Sequence, residues 1–227
     1  MRDQVAKRSL RQADYHVHVL SAVLAHGVEG GFIEHNRAKG IGKLYKANRS
    51  DQIWLPEDVA AFEAVASPQL MLGLYLGLHT GQRHRDLITL PWSAFDGVAI
   101  TLTQSKTGRE VYIPCTKALL RVLDQTPKRS TLIMTNTRGK PWSQDGFQTS
   151  WRNAAIKAGV HGRLRFNDLR GTTVTELAQS NCTVPQIAAI TGHTLKSVDQ
   201  ILERYLSRTK EMATAAIVKL DAYRENE

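Results

Sequence analysis

Cysteine is scarce, with two thiols, Cys115 and Cys182, in 227 residues. Two are too few for a disulfide framework, and neither has the close Cys or His companions that a structural zinc site needs. Both read as core or surface thiols. No uninterrupted run of about 18 apolar residues occurs, which excludes a membrane-spanning helix. The first sixteen residues lack an apolar stretch followed by a small-residue cleavage site, so no secretory signal is read and a cytoplasmic location is expected. Internal repeats and low-complexity tracts are lacking as well. What is present is globular: 42% of residues are hydrophobic and 16 more are glycine, an ordinary composition for a chain with a packed core. At roughly 150 residues per domain, the length suits one full domain with a smaller appendage.

Acidic residues are the other shortage. Thirty Lys and Arg face 21 Asp and Glu, a formal charge of +9. The excess is uneven, at +5 over residues 1–50, −4 over 51–100, +9 over 101–170 and −1 over 171–227. Basic residues also serve solubility, but a local excess of this size resembles the footprint of a polyphosphate partner such as nucleic acid.

Hydrophobic spacing organises the chain. Val17, Leu20, Val23 and Leu24 recur at helical intervals, followed by Gly27, Gly30 and Gly31 and then Phe32 and Ile33, which predicts a helix, a glycine turn and a short helical end within residues 12–37. Residues 38–52 are basic and polar and read as a linker. A second unit is expected from Ile53. Leu55-Pro56-Glu57-Asp58 fits a helix start, with proline in the first turn and two acids at the positive end of the dipole. Residues 68–79 are apolar nearly all round, as a central, surrounded helix would be. Val98, Ile100 and Leu102 alternate with smaller or polar residues, and the alternation resumes at Val111 and Ile113, predicting a β-hairpin with Gly108 in its turn. A short strand at 132–134 is expected to join it. Helical patterns return from Ser143, with breaks at 159–162, 181–183 and Gly192. The fold class expected is α+β, mainly α, with helices around a small antiparallel sheet.

Taken singly, the chemically interesting residues have ordinary explanations. Arg83 could pair with Asp86 three positions on. Lys106 could be a solvated turn lysine, His193 a turn residue, and Tyr205 a core aromatic on the face of Val198, Ile201 and Leu202. Arg170 lies where Asn167 or Asp168 could cap a helix, so an arginine there opposes the helix dipole unless an anion binds beside it.

Their order is more informative than any one of them. Thr-Gly-x-Arg-x-x-Asp-Leu at 80–87, Ser-Lys-Thr-Gly-Arg at 105–109, Asp-Leu-Arg-Gly-Thr at 168–172, Thr-Gly-His at 191–193 and a tyrosine twelve residues later strongly resemble the tyrosine recombinase or phage integrase family. The resemblance covers about Ile53 to the C-terminus. It implies a helical core-binding remnant at 1–37, the linker at 38–52 and an integrase-type catalytic domain at 53–227. It also implies a site-specific recombinase, a DNA strand transferase of mobile elements, acting through a 3′-phosphotyrosine with no metal or other cofactor. The expected partners are double-stranded DNA and further copies of the chain, assembled as a tetramer on DNA, with no membrane; the expected location becomes the nucleoid.

The same resemblance assigns roles that suit each residue type. Arg83 and Arg170 hold the phosphate with bidentate guanidinium forks. Lys106 protonates the leaving 5′-oxygen, His193 donates a further hydrogen bond to the phosphate, and Tyr205 attacks. Asp86 lends structural support, and Arg109, Lys128, Arg129, Arg163 and Arg165 are expected to contact DNA. Asn167 departs from the pattern, since the family usually has histidine three residues before the second arginine. Asparagine hydrogen-bonds but cannot shuttle a proton.

Two other readings remain open at this point. Residues 184–198 resemble a helix-turn-helix DNA reader without catalysis, which leaves Arg83, Lys106 and Arg170 unexplained. Asn167 and the short N-terminal piece instead suit a degenerate integrase fragment. Finally, Ala213, Ala216, Ile217 and Leu220 form an apolar helical stripe after Tyr205, expected to dock in cis or to exchange between protomers.

Overall fold

The computed structural model describes residues 2–45 and 52–205, and, beyond these, positions 214, 217, 218, 220, 221 and 224. It divides into two units, Met1–Asn48 and Arg49–Glu227.

In the first unit, α1 (Arg2–Ala6) leads into α2 (Leu10–Glu29). Ser9 caps α2, its hydroxyl accepting from the Gln12 N–H at 3.3 Å. The short helical end expected after the glycines is not formed. Gly31 takes φ +70°, and the N–H groups of Phe32 and Ile33 both return to the Gly27 carbonyl, so the chain reverses instead of winding on. Part of the segment read as a linker is tied to α2. The Asp14 carboxylate accepts from the N–H groups of Leu44 (3.0 Å) and Tyr45 (2.8 Å), while Arg2 donates to the Gly42 carbonyl. Those two backbone donors hold the Asp14 carboxyl below its ordinary range.

The second unit contains α3 (Pro56–Glu63), α4 (Pro68–Thr80), α5 (His84–Ile88), β1 (Ala99–Thr103), β2 (Glu110–Pro114), α6 (Lys117–Asp124), α7 (Gln144–Lys157), α8 (Leu169–Gln179), α9 (Val184–Thr191) and α10 (Leu195–Tyr205). This is the mainly α, α+β class expected. The strands pair antiparallel with Ile100 opposite Ile113 and Leu102 opposite Val111, and these four residues face inward. The strand expected at 132–134 is a single bridge between Pro91 and Leu132. Pro91 has no N–H to extend a ladder, and Ile133 and Met134 are consumed by the core.

The core is centred on α4. Leu74 and Leu76 are fully buried, and an aromatic group of Phe62, Trp151, Phe147 and Phe166 packs around them, with Phe62 stacked on Trp151 at 4.2 Å and Phe147 edge-on to Phe166 at 5.2 Å. Gly77 admits α8 against α4, because a Cβ there would lie 2.7 Å from Leu169. Thr173 fastens the contact, donating to the Leu78 carbonyl at 2.8 Å. A smaller cluster of Val174, Ile187, Ala188 and Val198 joins α8, α9 and α10.

Candidate active site

α4 stops at Gly81, which adopts φ +60°. The reversal sets Arg83 at the start of α5, where its Nη1 donates to Gln104 Oε1 at 3.0 Å. Arg83 is only loosely paired with Asp86, at 3.9 Å. The buried Asp86 carboxylate is occupied elsewhere, its Oδ1 accepting from the Ser105 N–H (2.9 Å) and hydroxyl (2.6 Å). Asp86 therefore anchors the hairpin tip on which Lys106 is exposed. The tip is closed from within by Gln104, whose N–H donates to the Arg109 carbonyl and whose carbonyl accepts from Thr107 and Gly108.

Arg170 is the second residue of α8 and is nine-tenths buried. Its Nη1 donates to the Gly81 carbonyl and its Nε to His193 Nε2 at 3.1 Å. Nη2 is buried without a hydrogen-bond partner. Burial, reinforced by the nearby Arg83 and offset in part by Asp86, pulls its pKa down to about 9. A buried cation with an unpaired donor is costly, and an incoming oxyanion would remove that cost.

His193 follows Gly192 in the turn between α9 and α10. Its Nδ1 lies 2.9 Å from Thr191 Oγ1, a hydroxyl that already donates to the Ile187 carbonyl. Nδ1 must therefore carry the proton, and Nε2 is a lone pair facing Arg170. Burial first, then Arg170 and Arg83, pull the ring down to about 3, so it is neutral at physiological pH. Sequence reasoning expects His193 to donate to a phosphate. In this arrangement it accepts from Arg170 and orients that guanidinium.

Asn167 is exposed in the one-turn 3-10 helix at 166–168. Asp168 does not cap α8; its carboxylate accepts from the Arg165 N–H at 2.7 Å and closes this turn instead. Tyr205 is the last residue of α10, and its side chain lies outside the described residues. So do Ala213 and Ala216 of the C-terminal stripe; Ile217 and Leu220 are exposed.

The basic residues expected on DNA differ in their freedom. Arg109 donates to the His193 carbonyl at 2.8 Å, and Lys128 sits 5.0 Å over the Trp92 ring. Arg163 spans both oxygens of the buried Asp58. Arg129 and Arg165 are exposed. A groove of about 640 Å³ between β2 and α9, lined by Arg109, Tyr112, Pro185, Ala188 and Leu195, opens beside His193. Among the described residues, no group of His, Cys, Asp or Glu is placed to hold a metal ion, and no helix is long and apolar enough to cross a membrane.

Sequence reasoning missed Gln82, Gln104 and Thr191. Extending the alternation of Ile100 and Leu102 by one step sets Gln104 on the inward face, and an inward amide signals a hydrogen-bond hub.

A sequence model of the phage integrase family matches residues 59–212, more than half of the chain. The chain belongs to the phage integrase family. Members of this family, the tyrosine recombinases, are site-specific DNA strand transferases. Solved integrases share the fold. Lambda integrase (residues 75–356), in a structure bound to DNA, superposes with a TM-score of 0.72 at 21% identity over 87% of this chain and 76% of its own. Lambda integrase as a dimer on a core site gives 0.73, also at 21%, over 91% of this chain but 63% of its own. The Tn1549 transposon integrase with circular intermediate DNA gives 0.71 at 13%, over 95% and 82%. No curated protein sequence matches this integrase-family chain.

Proposed function

We propose that this chain cuts and rejoins double-stranded DNA by transesterification at the site built from Arg83, Lys106, Arg170 and His193, with Tyr205 as the nucleophile. The observation that carries the reading is the buried Arg170 guanidinium, fixed through Nη1 and Nε and leaving Nη2 unpartnered beside a second arginine. Two guanidinium groups held by carbonyl, amide and imidazole, with a carboxylate no closer than Asp86 at 3.9 Å from Arg83, are suited to two nonbridging phosphate oxygens.

In the forward step, the Tyr205 oxygen forms a bond to phosphorus as the P–O5′ bond breaks. The product is a 3′-phosphotyrosine and a free 5′-hydroxyl, and Lys106 supplies the proton to the leaving oxygen. Rejoining is the reverse, and no external energy source is needed because one phosphodiester bond replaces another. The Tyr205 proton passes to water. Asn167 cannot take it, and the His193 lone pair is engaged by Arg170. Phosphate contacts come from the 101–170 block, from the exposed Arg129 and Arg165 and from Lys128 and Arg109, which are exposed but also engaged by Trp92 and the His193 carbonyl. Synapsis of two DNA sites brings four copies together, consistent with the dimeric and tetrameric DNA complexes solved for lambda integrase.

The test uses the full chain with a pool of nicked duplexes of randomised sequence. The expected result is a protein–DNA adduct stable to SDS that Tyr205→Phe abolishes. An adduct undiminished in that variant would overturn the assignment.

A further inference from the structure

Gln104 stands one step beyond the end of β1, fully buried. A carboxamide offers two N–H donors and two acceptor lone pairs, and here all four are used. Nε2 donates to Gln82 Oε1 at 2.6 Å and to the Thr191 carbonyl at 2.9 Å. Oε1 accepts from Arg83 Nη1 and from the Thr107 hydroxyl, each at 3.0 Å. One side chain thus touches a proposed phosphate-binding arginine, the residue after Lys106 and the turn that carries His193. Gln82 extends the connection, its Nε2 donating to the carbonyls of Thr80 (3.0 Å) and Ile190 (2.9 Å). Gly192 takes φ +68°, and a Cβ there would lie 2.4 Å from Gln104 Nε2, so the turn is drawn against the amide as closely as glycine permits.

We propose that Gln104 is the positioning residue of the site, its carboxamide coupling Arg83, the Lys106 hairpin tip and the His193 turn into one unit. Only an amide satisfies all four partners. A carboxylate keeps the acceptor side, toward Arg83 and Thr107, but has no donors for Gln82 and Thr191. A leucine keeps neither. The inference rests on the reading of Arg83 as a phosphate-binding group, Lys106 as the proton donor to the leaving oxygen and His193 as the support of Arg170, and its two arms separate by mutation.

The experiment compares the full chain with Gln104→Glu and Gln104→Leu. It measures the thermal transition, inorganic phosphate binding, and the 15N resonances of the Arg83 guanidinium and the His193 ring. In the wild type, Arg83 Nη resonances are expected to be split by restricted rotation and His193 Nε2 to show the shift of an unprotonated acceptor nitrogen. Gln104→Glu should retain the Arg83 splitting, shift the His193 signals and weaken phosphate binding about tenfold, the worth of one hydrogen bond to a charged group. Gln104→Leu should collapse the Arg83 splitting as well and weaken phosphate further.

His193 resonances unchanged in Gln104→Glu, with phosphate binding within twofold of wild type, would overturn the proposal, and that variant decides alone where Gln104→Leu fails to fold. These readouts need no DNA substrate. A wild-type chain that forms no adduct on nicked duplexes, with the Gln104 variants still showing the expected resonance changes, would sink the catalytic reading and leave the positioning role standing.

Discussion

The two units bury the apolar residues of their main helices to different extents. In the first, α2 is twenty residues long with a helical hydrophobic pattern, yet among the described residues the buried hydrophobic ones are Ala13 and Ala38, while Tyr15, Val23 and Phe32 are exposed. In the second, α4 is thirteen residues long and its Leu70, Leu72, Leu74 and Leu76 are buried in a core with α7, α8 and the hairpin. Periodicity specifies which face of a helix is apolar. Burial of that face requires enough further elements to surround it, and a two-helix piece of this size has too few. The first unit leans on polar ties, Asp14 to the 44–45 backbone and Asn36 to the Ser21 carbonyl at 2.8 Å.

The largest expected effect tests the contrast in burial. Phe147→Ala should lower stability by about 3–5 kcal/mol through the cavity it leaves, whereas Val23→Ala should change it by no more than about 0.5 kcal/mol; chemical denaturation of both variants reads the difference. A cost for Val23 equal to that for Phe147 would erase the distinction between the units.

Next is the Arg163–Asp58 pair, which ties the start of α3 to the loop after α7. Arg163 is half-exposed, so solvent screening reduces the loss below that of a fully buried pair, and Arg163→Ala is expected to cost about 1–2 kcal/mol. Hydrogen bonding from Arg163 lowers the Asp58 pKa beneath its ordinary 3.8. The pair's contribution is therefore complete above that value and is lost as pH falls through the folded pKa. A thermal-stability profile of wild type against Arg163→Ala should converge at low pH.

His193 has the same sign over a higher pH window. Its folded pKa, about 3, lies below the ordinary 6.5, so the unfolded chain binds the extra proton first. Stability should fall as pH drops from about 6.5 toward 3, and His193→Asn should flatten that slope.

The smallest effect concerns salt. Each phosphate neutralised on duplex DNA adds a slope of about −0.9 in log K against log salt. Arg129→Glu and Arg165→Glu should each flatten the slope of nonspecific binding by about one such step. Arg163→Glu should act mainly through stability, because its fork is taken by Asp58. Fluorescence anisotropy across a salt series separates the two behaviours.

Much of this was legible from spacing alone. The hairpin of 99–114, the helix ended by Gly81 and the break at Gly192 follow from local rules of alternation, capping and left-handed backbone. The strand expected at 132–134 and the helical end expected after Gly31 were lost to two causes, one tertiary and one a local helix-end reversal. Tertiary partners claimed Ile133 and Met134 for the core, and the Gly27 carbonyl captured two N–H groups that a helix would have used.

The order of Arg83, Lys106, Arg170, His193 and Tyr205 along the chain was enough to indicate a family, because residue types and their spacing are properties of sequence. It could not show which nitrogen of His193 holds the proton, that Arg170 keeps an unpaired Nη2, that Arg163 serves Asp58, or that Gln104 stands among Arg83, Thr107 and Thr191. Each depends on groups 20 to 110 positions apart meeting at hydrogen-bond distance. Hydrogen-bond direction and desolvation are set by those meetings, so only the tertiary structure decided them.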